Sequence, residues 1–305
     1  MIESATISNF PVSAAAMKER PLQVFASCRM RDVEVLRIVA QRLPEMIPLK
    51  QFFVGAPDQE CAEMQRRLGL RATVLAEDSM IPGVTLARVR ALPMEGFPRA
   101  AGWYFQQLLK LQFAFQDTDD DYYLIWDGDT VPLRPMRFFD EQGRLLMTKA
   151  EEYHAPYFET YRRLLGEEPH REFSFIAQHI PAQKSVVREM LARIAAQVPG
   201  EGNWAWKLMR TLPTRGYSLF SEYETYGHYM KNHYPERVRF IERPWRREMA
   251  HRSGRALPTE AELKTAAQQY DYVGYERVMG RGRRVIQWIL ETWRSGRKRP
   301  LFGEH

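Results

Sequence analysis

Cysteine is scarce in this 305-residue chain, with two in all, Cys28 and Cys61. Neither has a Cys or His at zinc-ligand spacing, and two isolated cysteines build no disulfide framework, which fits a reducing cytosol. Long apolar runs are also missing: no segment reaches the ~18–20 apolar residues of a membrane-spanning helix. Met1 to Arg20 carries Glu3 early and lacks a continuous apolar stretch after a basic start, so it does not read as a signal peptide. Its Ser, Ala and Pro content predicts a flexible leader over residues 1–20. No internal repeat, low-complexity run or linker breaks the rest.

A one-signed charge is absent from most of the chain. The net charge is +6, yet residues 277–299 hold seven arginines and one lysine against a single acid, Glu291. The net charge favours polyanionic partners without saying which, but that stretch exceeds the total excess, so the remainder is close to neutral. Within the basic stretch, Val285, Ile286, Trp288, Ile289, Leu290 and Trp293 are apolar. Residues 276–305 therefore predict a basic amphipathic segment, suited either to an anionic membrane surface or to packing on the domain before it.

What is present is an alternation of apolar periods. Gln23 to Cys28, Gln51 to Gly55 and Ala72 to Ala76 read as strands, separated by helical patterns over Arg31 to Leu43 and Asp58 to Leu68. This β-α-β-α-β order predicts an α/β fold, with a mainly parallel sheet and crossover helices, as one domain over residues 21–275. Met80 to Pro98 reads as a loop. Helices are expected over Ala100 to Phe115, Ala155 to Leu165, Gln183 to Gln197, Trp204 to Thr211 and Ser221 to Asn232. Further strands are expected at Leu145 to Thr148, Phe173 to Ile180, Arg237 to Ile241 and Tyr270 to Val273.

The apolar run Tyr122-Tyr123-Leu124-Ile125-Trp126 ends in Asp127-Gly128-Asp129. It predicts a buried central strand with two carboxylates at its C-terminal edge, where open α/β sheets place their ligands. Gly128 permits a tight turn. Two hard oxygen ligands this close suit Mg²⁺ or Mn²⁺ shared with substrate phosphates. The competing reading is a plain Asp-Gly turn.

Other candidates flank this strand. On the helix before it, Tyr104, Leu108, Leu111 and Phe115 share a predicted buried face, and Trp103, Gln106, Gln107 and Lys110 a second, mostly polar one. Lys110 can balance a diphosphate or simply sit in solvent. His179 is a candidate for metal, phosphate or acceptor contact. His154 and His228 have weaker cases, and His170 reads as exposed. Ser221 can cap a helix whose Glu224 stands at the capping-box position, which leaves Glu222 freer to act as a base.

Gly102-Trp103-Tyr104-x-Gln106-Gln107-x-x-Lys110, Tyr123-x-x-Trp126-Asp127-x-Asp129-Thr130, Gln178-His179 followed by Lys184, and Ser221-Glu222-Tyr223-Glu224-x-Tyr226-Gly227 together resemble a family of bacterial GT-A glycosyltransferases. The resemblance covers Gly102 to Gly227 and excludes the tail. It implies a GT-A-like, Rossmann-like mixed sheet flanked by helices. It also implies a metal-dependent transfer of sugar from a nucleotide-sugar donor to a hydroxyl of a glycan or lipid-linked saccharide, in surface-polysaccharide synthesis. Asp129 and Asp127, with His179, are then the expected Mn²⁺ or Mg²⁺ ligands. Asp127, Lys110, Gln107, Gln106 and Trp103 are expected on the donor. Glu222 or Glu224 is expected to take the acceptor proton in an inverting reaction. Separately from the resemblance, the cysteine usage and N-terminus predict a cytoplasmic protein, or one held on the cytoplasmic membrane face by the basic segment.

Two other functions compete. A nucleotidyltransferase shares such a sheet, but the segment after the first strand, Ser27-Cys28-Arg29-Met30-Arg31-Asp32, lacks the expected glycine-rich loop. A nucleic-acid-binding protein would draw on the basic pI, but no binding motif accompanies it.

Overall fold

The computed structural model describes residues 20–93, 100–117, 120–214, 218–247 and 257–275. The leader over residues 1–19 and the basic segment over 276–305 lie outside these. The strands are β1 (Leu22–Ser27), β2 (Leu49–Ala56), β3 (Thr73–Ala76), β4 (Tyr122–Trp126), β5 (Thr130–Pro132), β6 (Leu145–Thr148), β7 (His179–Gln183), β8 (Val238–Ile241), β9 (Trp245–Arg246) and β10 (Tyr272–Gly274). The helices are α1 (Val33–Met46), α2 (Cys61–Leu68), α3 (Glu77–Met80), α4 (Leu86–Arg90), α5 (Ala101–Gln112), α6 (Ala155–Leu165), α7 (Lys184–Gln197), α8 (Trp204–Thr211), α9 (Glu222–His233) and α10 (Glu260–Ala266).

The central sheet has the order β3-β2-β1-β4-β7. Its first four strands are parallel, and β7 closes the edge antiparallel to β4. This is the mixed, mainly parallel α/β sheet that the sequence predicts. Crossover helices force both faces of such a sheet to be apolar, and the strands alternate accordingly. Phe25, Tyr123 and Ile125 enter a core with α5, α7 and α9. Val24, Ala26, Leu124 and Trp126 enter a second core with α1, α2 and α10. After β4 the chain turns through Asp127-Gly128-Asp129 into β5, which pairs with β10. Beyond these, β6 and β8 form a separate parallel pair.

Three expectations change. The strand expected over Phe173 to Ile180 begins only at His179 and runs to Gln183. Residues 173–178 approach it as irregular chain, so Gln178 and His179 stand at a strand's start rather than its end. The loop expected over Met80 to Pro98 contains α4, capped by Thr85. On α5, Tyr104, Leu108 and Leu111 are buried as expected, but Phe115 is 44% exposed. The helix tightens into a 3-10 turn at Phe113, which rotates Phe115 off the apolar stripe.

Candidate functional site

Asp127 follows the last residue of β4, so the Asp-Gly-Asp turn lies at the C-terminal edge of the parallel strands. It packs against the end of β1. A Cβ on Gly128 would stand 3.4 Å from the Ser27 carbonyl oxygen and 3.4 Å from Leu36 Cδ1. The turn is held from several sides. Asp127 N–H donates to the Gln178 carbonyl at 2.9 Å, Thr130 N–H to the Asp127 carbonyl at 2.9 Å, and Tyr275 N–H to the Asp129 carbonyl at 2.8 Å. The Trp126 indole N–H donates to the Thr130 carbonyl at 2.8 Å.

Lys110 reaches this turn from α5. Its Nζ is 2.5 Å from Asp127 Oδ1 and 2.7 Å from Glu222 Oε1 at the start of α9. Tyr223 donates its hydroxyl to the same Asp127 oxygen at 2.8 Å, and its ring lies under the ammonium at 4.7 Å. The second polar face of α5 is therefore not solvated. Gln107 and Lys110 are both buried, because α9 covers that side of the helix. Gln107 also takes part, since its Oε1 accepts the Glu222 backbone N–H at 3.1 Å. Trp103 and Gln106 are partly buried. Trp103 packs edge-on against Tyr104, and its carbonyl accepts from the Gln107 amide.

Two carboxylates share one ammonium here. Burial works against the Lys110 charge, but Asp127 and Glu222 outweigh it and hold its pKa above the ordinary value. Burial pushes the Glu222 carboxyl up, with Asp127 adding to the rise and Lys110 opposing it. The chemistry follows from the count: one ammonium neutralises one of the two acids, and the more buried acid bears the deficit.

Both donors to Asp127 use Oδ1, and its side chain keeps 22% exposure. Among the described residues no donor reaches Oδ2. Asp129 is partly exposed one residue beyond Gly128. The turn offers these two carboxylates to a divalent cation that would take its other ligands from a substrate's phosphates. It does not fit a cage made wholly of protein: among the described residues no three His, Cys, Asp or Glu side chains group to hold a metal.

His179 does not join the turn. It pairs across the ladder with Trp126, and directly opposed residues share a sheet face. Its ring stacks on Trp126 and meets Tyr272 and Phe138 edge-on, on the α1 side of the sheet. Asp127 is drawn to the α5 and α9 side. His179 Nε2 lies 3.3 Å from Thr148 Oγ1, and burial, helped by Arg243, holds its pKa down to about 3. It is a neutral core imidazole.

Glu222 and Glu224 are 3% and 1% exposed. Ser221 caps α9 by accepting the Glu224 N–H at 3.3 Å. Glu224 does not return the bond as a capping box would. Its carboxylate accepts from the Ser174 hydroxyl and, at 3.3 Å, from the Phe175 N–H. His228 Nε2 is 3.1 Å away. His170, expected to be exposed, is half-buried with its ring 4.6 Å from that of His228; burial and His228 hold its pKa down to about 3. His154 precedes α6, its ring against Tyr157. Lys184 points to the opposite sheet edge, where Nζ donates to Gln23 Oε1 at 3.1 Å.

Some contacts around the site carry no signal in the sequence. Tyr223 stands in the quoted Ser221-Glu222-Tyr223-Glu224 motif, but nothing local assigns its hydroxyl to Asp127. The Arg29–Glu77 pair, 3.3 Å apart, joins the ends of β1 and β3 and needs the strand order to be seen. Burial pushes the Glu77 carboxyl up to about 7, with Arg29 partly opposing it.

Solved structures with a similar course of chain include mouse xyloside xylosyltransferase 1 in its apo form, 12% identical with a TM-score of 0.44 over 84% of this chain and 97% of that one. An active-site mutant of LgtC is 10% identical, with a TM-score of 0.45 over 88% and 96%. The apo WbbM bifunctional glycosyltransferase is 12% identical, with a TM-score of 0.43 over 87% and 46%. At these identities and scores the likeness carries no inference about activity. No curated protein matches the chain. The family described as a family of unknown function, DUF6492, matches residues 33–269, most of the length, and the chain belongs to it.

Proposed function

We propose that this protein is a glycosyltransferase that moves a sugar from a nucleotide-sugar donor to a hydroxyl of a glycan or lipid-linked saccharide, using Mn²⁺ or Mg²⁺. The observation that carries the reading is the Asp127-Gly128-Asp129 turn at the C-terminal edge of a central parallel strand. Asp127 is buttressed there by Lys110 and Tyr223 through one oxygen, and among the described residues no donor reaches the other. The motif resemblance over Gly102 to Gly227 supports the same reading.

Asp127 and Asp129 would hold the cation, which supplies Lewis-acid neutralisation of the departing diphosphate. The ammonium of Lys110 aims Asp127, and Tyr223 fixes the same oxygen. Gln107 holds the first turn of α9 and with it Glu222. Glu222 is the second carboxylate on the Lys110 ammonium, and it, ahead of Glu224, is the proposed base for the acceptor proton. Glu224 is enclosed by Ser174, Phe175 and His228 and braces α9 against the chain before β7. An inverting course, a role in surface-polysaccharide synthesis, a cytoplasmic location and a peripheral attachment through residues 276–305 remain part of this proposal. No helix among the described residues is long and apolar enough to cross a membrane.

The test is release of nucleoside diphosphate from a panel of nucleotide sugars with Mn²⁺, with wild type and Asp129→Ala. Metal-dependent release by wild type alone supports the reading. Pyrophosphate release from a nucleoside triphosphate and a sugar phosphate, without sugar transfer, would replace it with the nucleotidyltransferase alternative.

A further inference from the structure

Among the described residues, two that are not glycine have positive φ, Gln178 at 64° and Ser218 at 49°. Gln178 is 2% exposed and immediately precedes β7. Trp126 and His179 are the last ladder pair of β4 and β7, so Asp127 and Gln178 are the first pair beyond it. There the Gln178 carbonyl accepts the Asp127 N–H at 2.9 Å.

Glycine enters the left-handed region freely, whereas a side chain there is strained and a β-branched one is an outlier. Folding alone would favour glycine at this position. The side chain is instead enclosed: its Oε1 lies 3.5 Å from Thr130 Oγ1. A Cβ on Gly274 would come within 3.4 Å of the same oxygen. Thr130 ends the Asp-Gly-Asp turn, and Gly274 is its partner in β10. Gln178 therefore touches both ends of the turn, Asp127 through its backbone and Thr130 through its side chain. Backbone strain that persists in a buried, over-determined setting is typical of positions that hold a site in shape.

We propose that Gln178 is a positioning residue for the carboxylate turn: its left-handed backbone aims the carbonyl that fixes Asp127. This rests on the reading that Asp127 and Asp129 hold a cation with a nucleotide.

Gln178→Gly, Gln178→Ala and Gln178→Val form a series of falling left-handed tolerance. Two quantities are measured on folded protein well below Tm. One is Mn²⁺-dependent nucleoside-diphosphate affinity. The other is amide exchange at Asp127, referenced to Leu124 inside β4. The Val variant is expected to lose about tenfold or more in affinity, Ala less and Gly least, each step of tenfold being ~1.4 kcal/mol. Asp127 exchange is expected to accelerate in the same order while Leu124 stays protected, as local opening requires. A merely structural residue would lower Tm without separating these two amides. Equal losses across the series, or an Asp127 amide in the Val variant as protected as in wild type, overturn the proposal. If Gln178→Val does not fold, the Ala and Gly pair decides the order. If wild type binds no nucleotide with Mn²⁺, the glycosyltransferase reading fails, and the amide exchange still judges Gln178.

Discussion

The Lys110 ammonium lies 2.5 Å from Asp127 Oδ1 and bridges to Glu222 at 2.7 Å, so one cation on α5 ties the end of β4 to the start of α9. Removing it strands two acids, one of them fully enclosed. Lys110→Met is expected to cost about 3–5 kcal/mol of folding stability, the usual penalty for an unpaired buried charge. Adding Glu222→Gln should recover most of that loss in denaturant unfolding, without restoring nucleotide binding. A single-mutant cost near zero would contradict the network.

Tyr223→Phe removes one hydroxyl and little else. The lost bond to Asp127 is expected to cost about 1 kcal/mol, seen as a several-fold weaker metal-dependent affinity for nucleotide with Tm nearly kept. A large fall in Tm with unchanged affinity would assign Tyr223 to packing alone.

Gly227 sits on α9 where a Cβ would meet the Phe175 ring at 2.2 Å. The ring blocks the position, so Gly227→Ala must push apart α9 and the chain leading to β7. Overpacking of this kind costs about 1–3 kcal/mol or more. Phe175→Leu in the same chain should relieve part of it, and additive losses would show that the two residues do not collide.

Glu77 has a raised pKa in the folded state, about 7 against an ordinary 4.5. A raised folded value means the proton-bound form is favoured. Its contribution to stability is full below the unfolded value and is lost as pH rises through about 7. The Tm advantage of Glu77→Gln over wild type should therefore grow between pH 4.5 and 8 and then level off. A difference that stays flat across that window would show that Arg29 fully compensates the charge.

Much of the frame was legible because apolar periodicity is local. The β-α alternation through β3, the buried run of β4 and the carboxylates after it follow from residues adjacent in sequence. The errors arise where distant segments meet. Lys110 and Gln107 have the spacing of a polar helix face, and only the docking of α9 buries them. Gln178 and His179 read as a strand end because the sequence does not reveal that β7 runs antiparallel, or that Gln178 turns left-handed before it. His179 then falls on the other sheet face from Asp127, by the alternation that every strand obeys. Glu224 carries a capping signature, and its carboxylate is taken by Ser174 and Phe175, fifty residues upstream and invisible to a local pattern.

The most direct measurement is calorimetric titration of nucleotide sugars into wild type and Asp129→Asn, each with Mn²⁺ and with EDTA. At least one donor is expected to bind wild type only with the metal, and about a hundredfold more weakly to the variant, a loss of ~2.7 kcal/mol. A donor that binds equally well in EDTA, an Asp129→Asn protein with unchanged affinity, or no binding by any donor would contradict the assignment of Asp127-Gly128-Asp129 as a cation and nucleotide-sugar site.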